Sequence, residues 1–200
     1  RKPSPLNGFD LFNYMALIVC ARARDYAEIT FHKFADELEA KDAAGQYAFG
    51  APENEKHRVT WEGIAVWTYL GATFKGLKNQ GAVMTGSAYP GLWSLVYTPG
   101  DLESMAEAYT NVYINTCGPN RYEEFYKVVK NSKSDGIVLH LNRSCKLMGL
   151  LNNEGAEYVN AKMGVPYVSF DGDQTDPRVF TPAQYETRVQ ALTEMMDENQ

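Results

Sequence analysis

The residues best suited to chemistry in this chain lie between Gly136 and Lys146, where a hydrophobic run ends in Asn-Arg-Ser-Cys-Lys. The pattern predicts that Cys145 lies in the first turn of a helix that follows a strand. Such a turn has unpaired backbone N–H groups and the positive end of the helix dipole, and Arg143 and Lys146 add positive charge. These features favour a thiolate at Cys145. The alternative is a small buried hydrophobe behind the strand.

A thiolate beside helical N–H groups suits an iron–sulfur cluster or a phosphate group. One sulfur cannot hold a cluster alone. Cys20 and Cys117 have no motif around them, and the wide cysteine spacing fits neither a disulfide framework nor paired zinc ligands. We therefore assign Cys20 and Cys117 to packing and Cys145 to a metal or cofactor site.

The neighbours of Cys145 have less certain chemistry. His140 is a candidate proton carrier, although a hydrogen-bonded structural histidine is the favoured alternative. Ser144 is most simply a helix N-cap, but its hydroxyl is also a candidate donor to a cluster sulfide or a catalytic group. Asn142, Arg143, Ser144 and Lys146 would surround the cofactor, and the two cations would attract phosphates or tune a cluster.

Two further polar segments follow predicted strands, and they supply Ser87, Tyr89 and Arg178 as candidate substrate contacts. Residues 171–178 carry three carboxylates that suit magnesium, but we favour a structural turn in which Arg178 pairs with a carboxylate. Tyr89, Trp67 and Trp93 are candidates for an acyl or pantetheine pocket, with core packing as the alternative.

Short apolar runs alternate with amphipathic stretches after residue 58, which predicts an α/β fold with a parallel, Rossmann-like (flavodoxin-like) sheet. We expect a helical hairpin and linker over 1–57 and the α/β domain over 58–200. The last helix should begin with a capping box formed by Thr181 and Gln184. Predicted strands are 60–67, 82–87, 136–141 and 165–170. Predicted helices are 10–41 (a hairpin), 69–79, 102–130 (more than one helix), 144–163 and 182–198.

Because ligands bind beyond the carboxyl ends of parallel strands, the three polar segments 86–89, 142–146 and 171–178 should converge on one crevice.

Composition excludes several classes of function. The 200 residues carry a net charge of −6 without a basic cluster, which argues against nucleic acid. The most apolar helix, 11–23, is interrupted by Asn13 and followed by Arg24, so we expect no membrane span, and with no leader segment we expect a cytoplasmic protein. The chain starts at Arg1 without methionine, so we expect it to be part of a longer protein.

The sequence resembles the 2-hydroxyacyl-CoA dehydratase and benzoyl-CoA reductase family over essentially its whole length, as the C-terminal half of a family chain. The Asn-Arg-Ser-Cys-Lys segment at 142–146 and the Asp-Gly-Asp-Gln-Thr-Asp-Pro-Arg segment at 171–178 are marks of the family. The opening segment is similar to the branch that converts lactoyl-CoA to acryloyl-CoA. Segments 2–19, 61–67 and 84–90 also carry the resemblance.

The resemblance implies a 4Fe-4S cluster held by three cysteines, of which Cys145 matches the most C-terminal. The other two lie in the N-terminal half of family chains. It further implies one-electron reduction of the thioester to a ketyl radical that expels the α-hydroxyl group. Implied partners are a homologous second subunit, an ATP-dependent iron–sulfur activator and an acyl-CoA substrate, and flavin occurs in some members.

A different class of function stays open: a non-catalytic scaffold that binds CoA or a nucleotide. The chain has no Gly-x-Gly-x-x-Gly and no phosphate-binding lysine loop, so ATP hydrolysis belongs to another protein.

Overall fold

The computed structural model describes residues 1–199 and is built around four parallel strands in the order β2-β1-β3-β4. This is the order of the first four strands in flavodoxin-like sheets, which confirms the predicted α/β class and parallel sheet. The strands are β1 His57–Glu62, β2 Ala82–Ser87, β3 Gly136–Asn142 and β4 Tyr167–Gly172. The helices are α1 Gly8–Cys20, α2 Asp25–Ala43, α3 Leu70–Asn79, α4 Leu102–Thr110, α5 Gly118–Ser132, α6 Lys146–Gly149, α7 Asn152–Met163 and α8 Pro182–Glu198.

The sheet separates two hydrophobic clusters, because successive side chains of a strand point to opposite faces. The larger cluster surrounds Trp61 and is covered by α1, α3 and α8. The smaller one contains Ile137 and Leu139 and is covered by α5 and α7. Alternation along β1 therefore directs Trp61 to the first face and Glu62 to the face of α5.

The predicted helical hairpin is confirmed by α1 and α2, whose Tyr14 and Phe34 rings lie 4.4 Å apart. Helix α1 also belongs to the main core, since Phe9 packs edge-on against Trp61 with ring centroids 5.4 Å apart. The division of the chain at residue 57 stays a prediction. No helix in residues 1–199 combines the length and the apolar character needed to cross a membrane.

Two predicted strands are shifted. β1 starts at His57 and ends at Glu62, because Gly63 turns the chain with φ of +108°. A Cβ atom on Gly63 would lie 2.5 Å from the carbonyl oxygen of His140, so only glycine fits this turn. β4 lies two residues later than predicted. The helices predicted over 102–130 are α4 and α5, with a short turn between them.

Helix 182–198 is confirmed and buries its predicted face, Tyr185, Val189, Leu192 and Met196. The predicted capping box is wrong, because Thr181 occupies the N-cap position without a side-chain hydrogen bond. Helix 144–163 is interrupted and forms α6 and α7.

Candidate functional site

The candidate site lies at the carboxyl ends of β1 and β3, which are adjacent in the sheet although β2 lies between them in sequence. Connections leave β1 and β3 in opposite directions here, and such switch points are where open parallel sheets bind ligands. The segment from Asn142 to Lys146 leaves β3 at this point, and Gly63 follows β1.

Cys145 lies at the mouth of this region, half-buried against the larger core cluster. It is the N-cap residue of α6, and its backbone N–H donates to the carbonyl of Asn142 over 3.2 Å. The helix has only four residues, so the long helix dipole expected behind the cysteine is absent. Arg143 is exposed and lies 3.5 Å from Asp171, and Lys146 is also exposed.

Ser144 stabilises the loop instead of capping a helix, which corrects the predicted N-cap. Its backbone N–H donates to Asp173 Oδ2 over 3.1 Å, and its hydroxyl donates to Asn142 Oδ1 over 3.1 Å. Asn142 also reaches Gln174, which donates its backbone N–H to Oδ1 over 3.4 Å. Two of the three predicted polar segments are thus joined directly by hydrogen bonds.

Asp173 is the centre of the turn after β4. Its Oδ1 accepts backbone N–H groups of Thr175 (2.9 Å) and Asp176 (3.0 Å). Hydrogen bonds from Ser144, then from these amides, hold the pKa of Asp173 well below its usual value. Nε and Nη2 of Arg178 donate side-chain hydrogen bonds to Asp176, and these bonds lower the pKa of Asp176 to about 2. These contacts match the structural turn favoured for the segment.

The carboxylates of this segment do not converge on a common point. Within residues 1–199, no group of three or more His, Cys, Asp or Glu side chains is arranged to hold a metal ion. The magnesium alternative therefore has no ligand set among these residues.

His140 is fully buried, with its Nδ1–H donating to the carbonyl of Ile64. Its ring stacks on Phe170, with centroids 5.1 Å apart and an interplanar angle of 14°. Burial lowers the pKa of His140, so the imidazole is neutral at pH 7. This environment fits the structural histidine better than an exposed proton carrier.

Tyr89 lines an aromatic cavity of about 370 Å³ beneath α1, and it belongs to the hydrophobic cluster against which Cys145 packs. Burial, and then the electrostatic influence of Cys145, raise the pKa of the Tyr89 hydroxyl. The cavity brings together the three aromatic residues that the sequence singled out, and it is lined by Phe12, Asn13, Met15, Ala16, Val19, Trp67, Tyr89 and Trp93. An apolar cavity of this size can take an acyl chain or a pantetheine arm.

Ser87 lies in a different cavity. Its hydroxyl accepts the backbone N–H of Tyr89 over 3.3 Å, and the residue lines a space of about 350 Å³ together with Tyr113. The predicted substrate contacts Ser87, Tyr89 and Arg178 are therefore distributed over two cavities and the turn after β4.

Cys20 and Cys117 are both exposed, so their assignment to packing is wrong. Cys20 is the last residue of α1, and Cys117 is the N-cap residue of α5. Both lie at helix ends, where a side chain on a predicted apolar face can still point into solvent.

A buried polar network on the α5 side was missed by the sequence analysis. Tyr113 donates its hydroxyl to Glu62 Oε1 over 2.8 Å, and the Arg121 guanidinium lies 4.7 Å from the centre of the Tyr113 ring. Burial raises the pKa of Glu62 to about 7, against the lowering effects of Tyr113 and Arg121. A signal was present, since Arg121 shares the spacing of the buried residues Phe125 and Val129 on α5.

The chain matches one family model and is similar to several known proteins. A family model described as 2-hydroxyglutaryl-CoA dehydratase, D-component, matches residues 1–196. The chain is 62% identical over 200 residues to lactoyl-CoA dehydratase subunit alpha of Anaerotignum propionicum, covering 99% of this chain and 47% of that protein. It is 44% identical over 196 residues to the (R)-2-hydroxyisocaproyl-CoA dehydratase alpha subunit of Clostridioides difficile, covering 98% and 48%.

A third relative, (R)-2-hydroxyglutaryl-CoA dehydratase subunit alpha of Acidaminococcus fermentans, is 40% identical over 198 residues, covering 99% of this chain and 41% of that protein. The chain spans about half the length of the curated relatives that it matches. The parallel sheet carries Cys145 at its switch point, and the family model matches nearly every residue of the chain. The chain therefore belongs to the 2-hydroxyglutaryl-CoA dehydratase D-component family of 2-hydroxyacyl-CoA dehydratases.

Proposed function

We propose that this chain is the C-terminal half of the alpha subunit of an (R)-2-hydroxyacyl-CoA dehydratase, and that lactoyl-CoA, which it converts to acryloyl-CoA, is its substrate. The observation that carries the proposal is the position of Cys145, a half-buried thiol at the switch point of the sheet that packs against the hydrophobic cluster containing Tyr89. The 62% identity to a lactoyl-CoA dehydratase subunit supports the choice of substrate.

Cys145 fits the role of one ligand to a 4Fe-4S cluster. Its sulfur is a soft donor, it is not sealed in the core, and the clamp of Asn142, Ser144 and Asp173 fixes the backbone before it. Since no group of three or more His, Cys, Asp or Glu side chains in residues 1–199 is arranged to hold a metal ion, further ligands would come from outside the described residues. When bound, such a cluster supplies an electron and a Lewis-acidic iron for the dehydration.

Chemistry explains why a dehydratase of this class needs a redox group. The hydrogen to be removed from a 2-hydroxyacyl-CoA is on the β-carbon, and the thioester does not acidify that position. Residues of this chain would bind the substrate, exclude water and hold the cysteine in place. Delivery of the electron would require a second subunit and an ATP-dependent iron–sulfur activator.

The aromatic cavity would hold the apolar part of the substrate. Trp67 and Tyr89 supply flat apolar walls, and Cys145 packs against the hydrophobic cluster that contains Tyr89. Arg143 and Lys146 are exposed cations on the same loop and would attract the CoA phosphates. Flavin binding remains a proposal that no residue here supports specifically.

An anaerobic activity assay tests the proposal. The full-length subunit, assembled with its partner and activator, should dehydrate lactoyl-CoA faster than 2-hydroxyisocaproyl-, phenyllactyl- or 2-hydroxyglutaryl-CoA. Cys145→Ser should abolish the activity, whereas Cys20→Ser should keep it, because Cys20 is exposed at the end of α1. Full activity of Cys145→Ser would contradict the proposal, and CoA binding without any turnover would favour the scaffold function.

A further inference from the structure

Arg121 is a fully buried arginine whose contacts lead to the segment that follows Cys145. Its Nη1 donates to the carbonyl of Leu147 over 2.8 Å, and its Nη2 donates to the carbonyl of Met148 over 3.2 Å. Nη2 also donates to Asn152 Oδ1 over 3.2 Å. One guanidinium group thus holds both α6 and the first residue of α7.

These contacts explain why the predicted helix 144–163 is interrupted. In a continuous helix the carbonyls of Leu147 and Met148 would accept the backbone N–H groups four residues later. Here they accept Arg121 instead, and the chain leaves helical geometry at Leu151 before α7 begins. The geometry of the short helix beginning after Cys145 is therefore determined by a side chain from α5.

The Arg121 side chain is itself fixed from its other side. The Tyr113 ring lies under the guanidinium, and the Tyr113 hydroxyl donates to Glu62 Oε1. Glu62 is fully buried at the carboxyl end of β1, and its Oε2 has no hydrogen-bond partner. Burial raises the pKa of Glu62, whereas the hydrogen bond from Tyr113 and the positive charge of Arg121 lower it, so the three groups form one interacting cluster.

We propose that Arg121 is a positioning residue for Cys145, held in place by Tyr113 and Glu62. The chain of contacts runs from β1 through Glu62, Tyr113 and Arg121 to the carbonyls of α6, one turn after the cysteine. It would set the direction and mobility of the Cys145 sulfur. Its consequence for a bound cluster rests on the proposed function, but the positioning itself does not.

The rate at which Cys145 is alkylated tests the positioning directly. The full-length, partner-assembled protein is prepared without iron and treated with iodoacetamide, and the modification of each cysteine is followed by peptide mass spectrometry. Arg121→Met should speed alkylation of Cys145 by about tenfold, because the freed carbonyls let the segment open locally. Cys20 is the internal control, since it lies on α1 and is exposed already.

Lys127→Met is the matched control variant. It removes a cation from the same helix, but Lys127 only pairs with Glu124 on the surface at 2.6 Å. Cys145 should react at the parental rate in this variant. Tyr113→Phe keeps the ring under Arg121 and removes the hydrogen bond to Glu62, so it should accelerate the alkylation of Cys145 less than Arg121→Met does. If Arg121→Met does not fold, Tyr113→Phe decides the question.

Unchanged alkylation of Cys145 in folded Arg121→Met would overturn the proposal, and so would equal acceleration of Cys20, which would indicate general loosening. Iron-loaded samples provide a second readout, because a displaced Cys145 should alter the electron paramagnetic resonance spectrum of the reduced cluster relative to the parent and to Lys127→Met. If the parental protein binds no iron, the proposed function fails, while the alkylation rates still decide the role of Arg121.

Discussion

The backbone N–H of Ser144 donates a hydrogen bond to Asp173 Oδ2 over 3.1 Å, which ties the loop after β3 to the turn after β4. The same carboxylate accepts two amides of its own turn through Oδ1. One buried aspartate therefore organises both polar segments that flank Cys145. A carboxylate that accepts several hydrogen bonds stays ionised, because each of these bonds stabilises the charged form.

Asp173→Asn should lower the stability of the protein at neutral pH and should flatten its response to acid. The folded pKa of Asp173 is depressed, so its contribution is present above the unfolded pKa of about 3.9 and is lost as the pH falls through the folded value. The measurement is the unfolding free energy from pH 7 down to the acid limit. Asp171→Asn is the control, because Asp171 is exposed and lies 3.5 Å from Arg143. Equal acid sensitivity of parent and Asp173→Asn would contradict this account.

Glu62→Gln should remove a pH dependence of the unfolding free energy whose sign is opposite to that of Asp173. The folded protein keeps the Glu62 proton up to a pKa of about 7, whereas the unfolded chain releases it near 4.5. Between these values the folded state binds more protons, so unfolding free energy falls as pH rises, by on the order of 3 kcal/mol in total. Denaturant titrations at pH 5, 6, 7 and 8 should show this slope in the parent and lose it in Glu62→Gln. If the slope persists in Glu62→Gln, a group other than Glu62 causes it.

The fold was largely predictable because its signals are local. The bounds of strand 82–87 and helix 182–198 match those predicted, since a short apolar run after Gly81 and an apolar spacing of three to four residues depend on neighbours in sequence. The convergence of segments 142–146 and 171–178 was also predictable, because parallel strands end at one edge of the sheet.

Long-range polar contacts were not predictable. The interruption between α6 and α7 depends on Arg121, which is 26 residues away from Leu147 in sequence. Glu62 and Tyr113 are separated by 51 residues, and nothing near either residue indicates the partner. The end of β1 was misplaced for the same reason, because Gly63 turns against the His140 carbonyl of another strand.

Gly63→Ala should therefore destabilise the protein by on the order of 2 kcal/mol or more, since alanine resists a positive φ and its Cβ would lie 2.5 Å from the His140 oxygen. Gly71→Ala is the matched control, because a Cβ there meets no atom within 4 Å. That variant should keep the parental stability or gain up to about 1 kcal/mol. Thermal unfolding of both variants checks the prediction. A similar change of stability in Gly63→Ala and Gly71→Ala would contradict the role assigned to the turn at Gly63.

Ala16→Phe should impair substrate binding without unfolding the protein. Ala16 is an exposed residue of α1 that lines the aromatic cavity, so a phenyl group would fill space proposed for the acyl or pantetheine part. We expect KM for the acyl-CoA to rise by about tenfold with a smaller change in kcat. Ala35→Phe, on the exposed surface of α2, is the control. If KM in Ala16→Phe equals the parental value, the aromatic cavity does not bind the substrate.

The most direct test of the central claim is the iron and acid-labile sulfide content of the full-length, partner-assembled protein, purified anaerobically with and without Cys145. We predict that Cys145→Ala loses iron and sulfide, while Cys117→Ala, which removes an exposed thiol at the start of α5, retains the parental amount. If Cys145→Ala kept the parental iron, sulfide and paramagnetic spectrum, Cys145 would not be a cluster ligand and the account would be wrong.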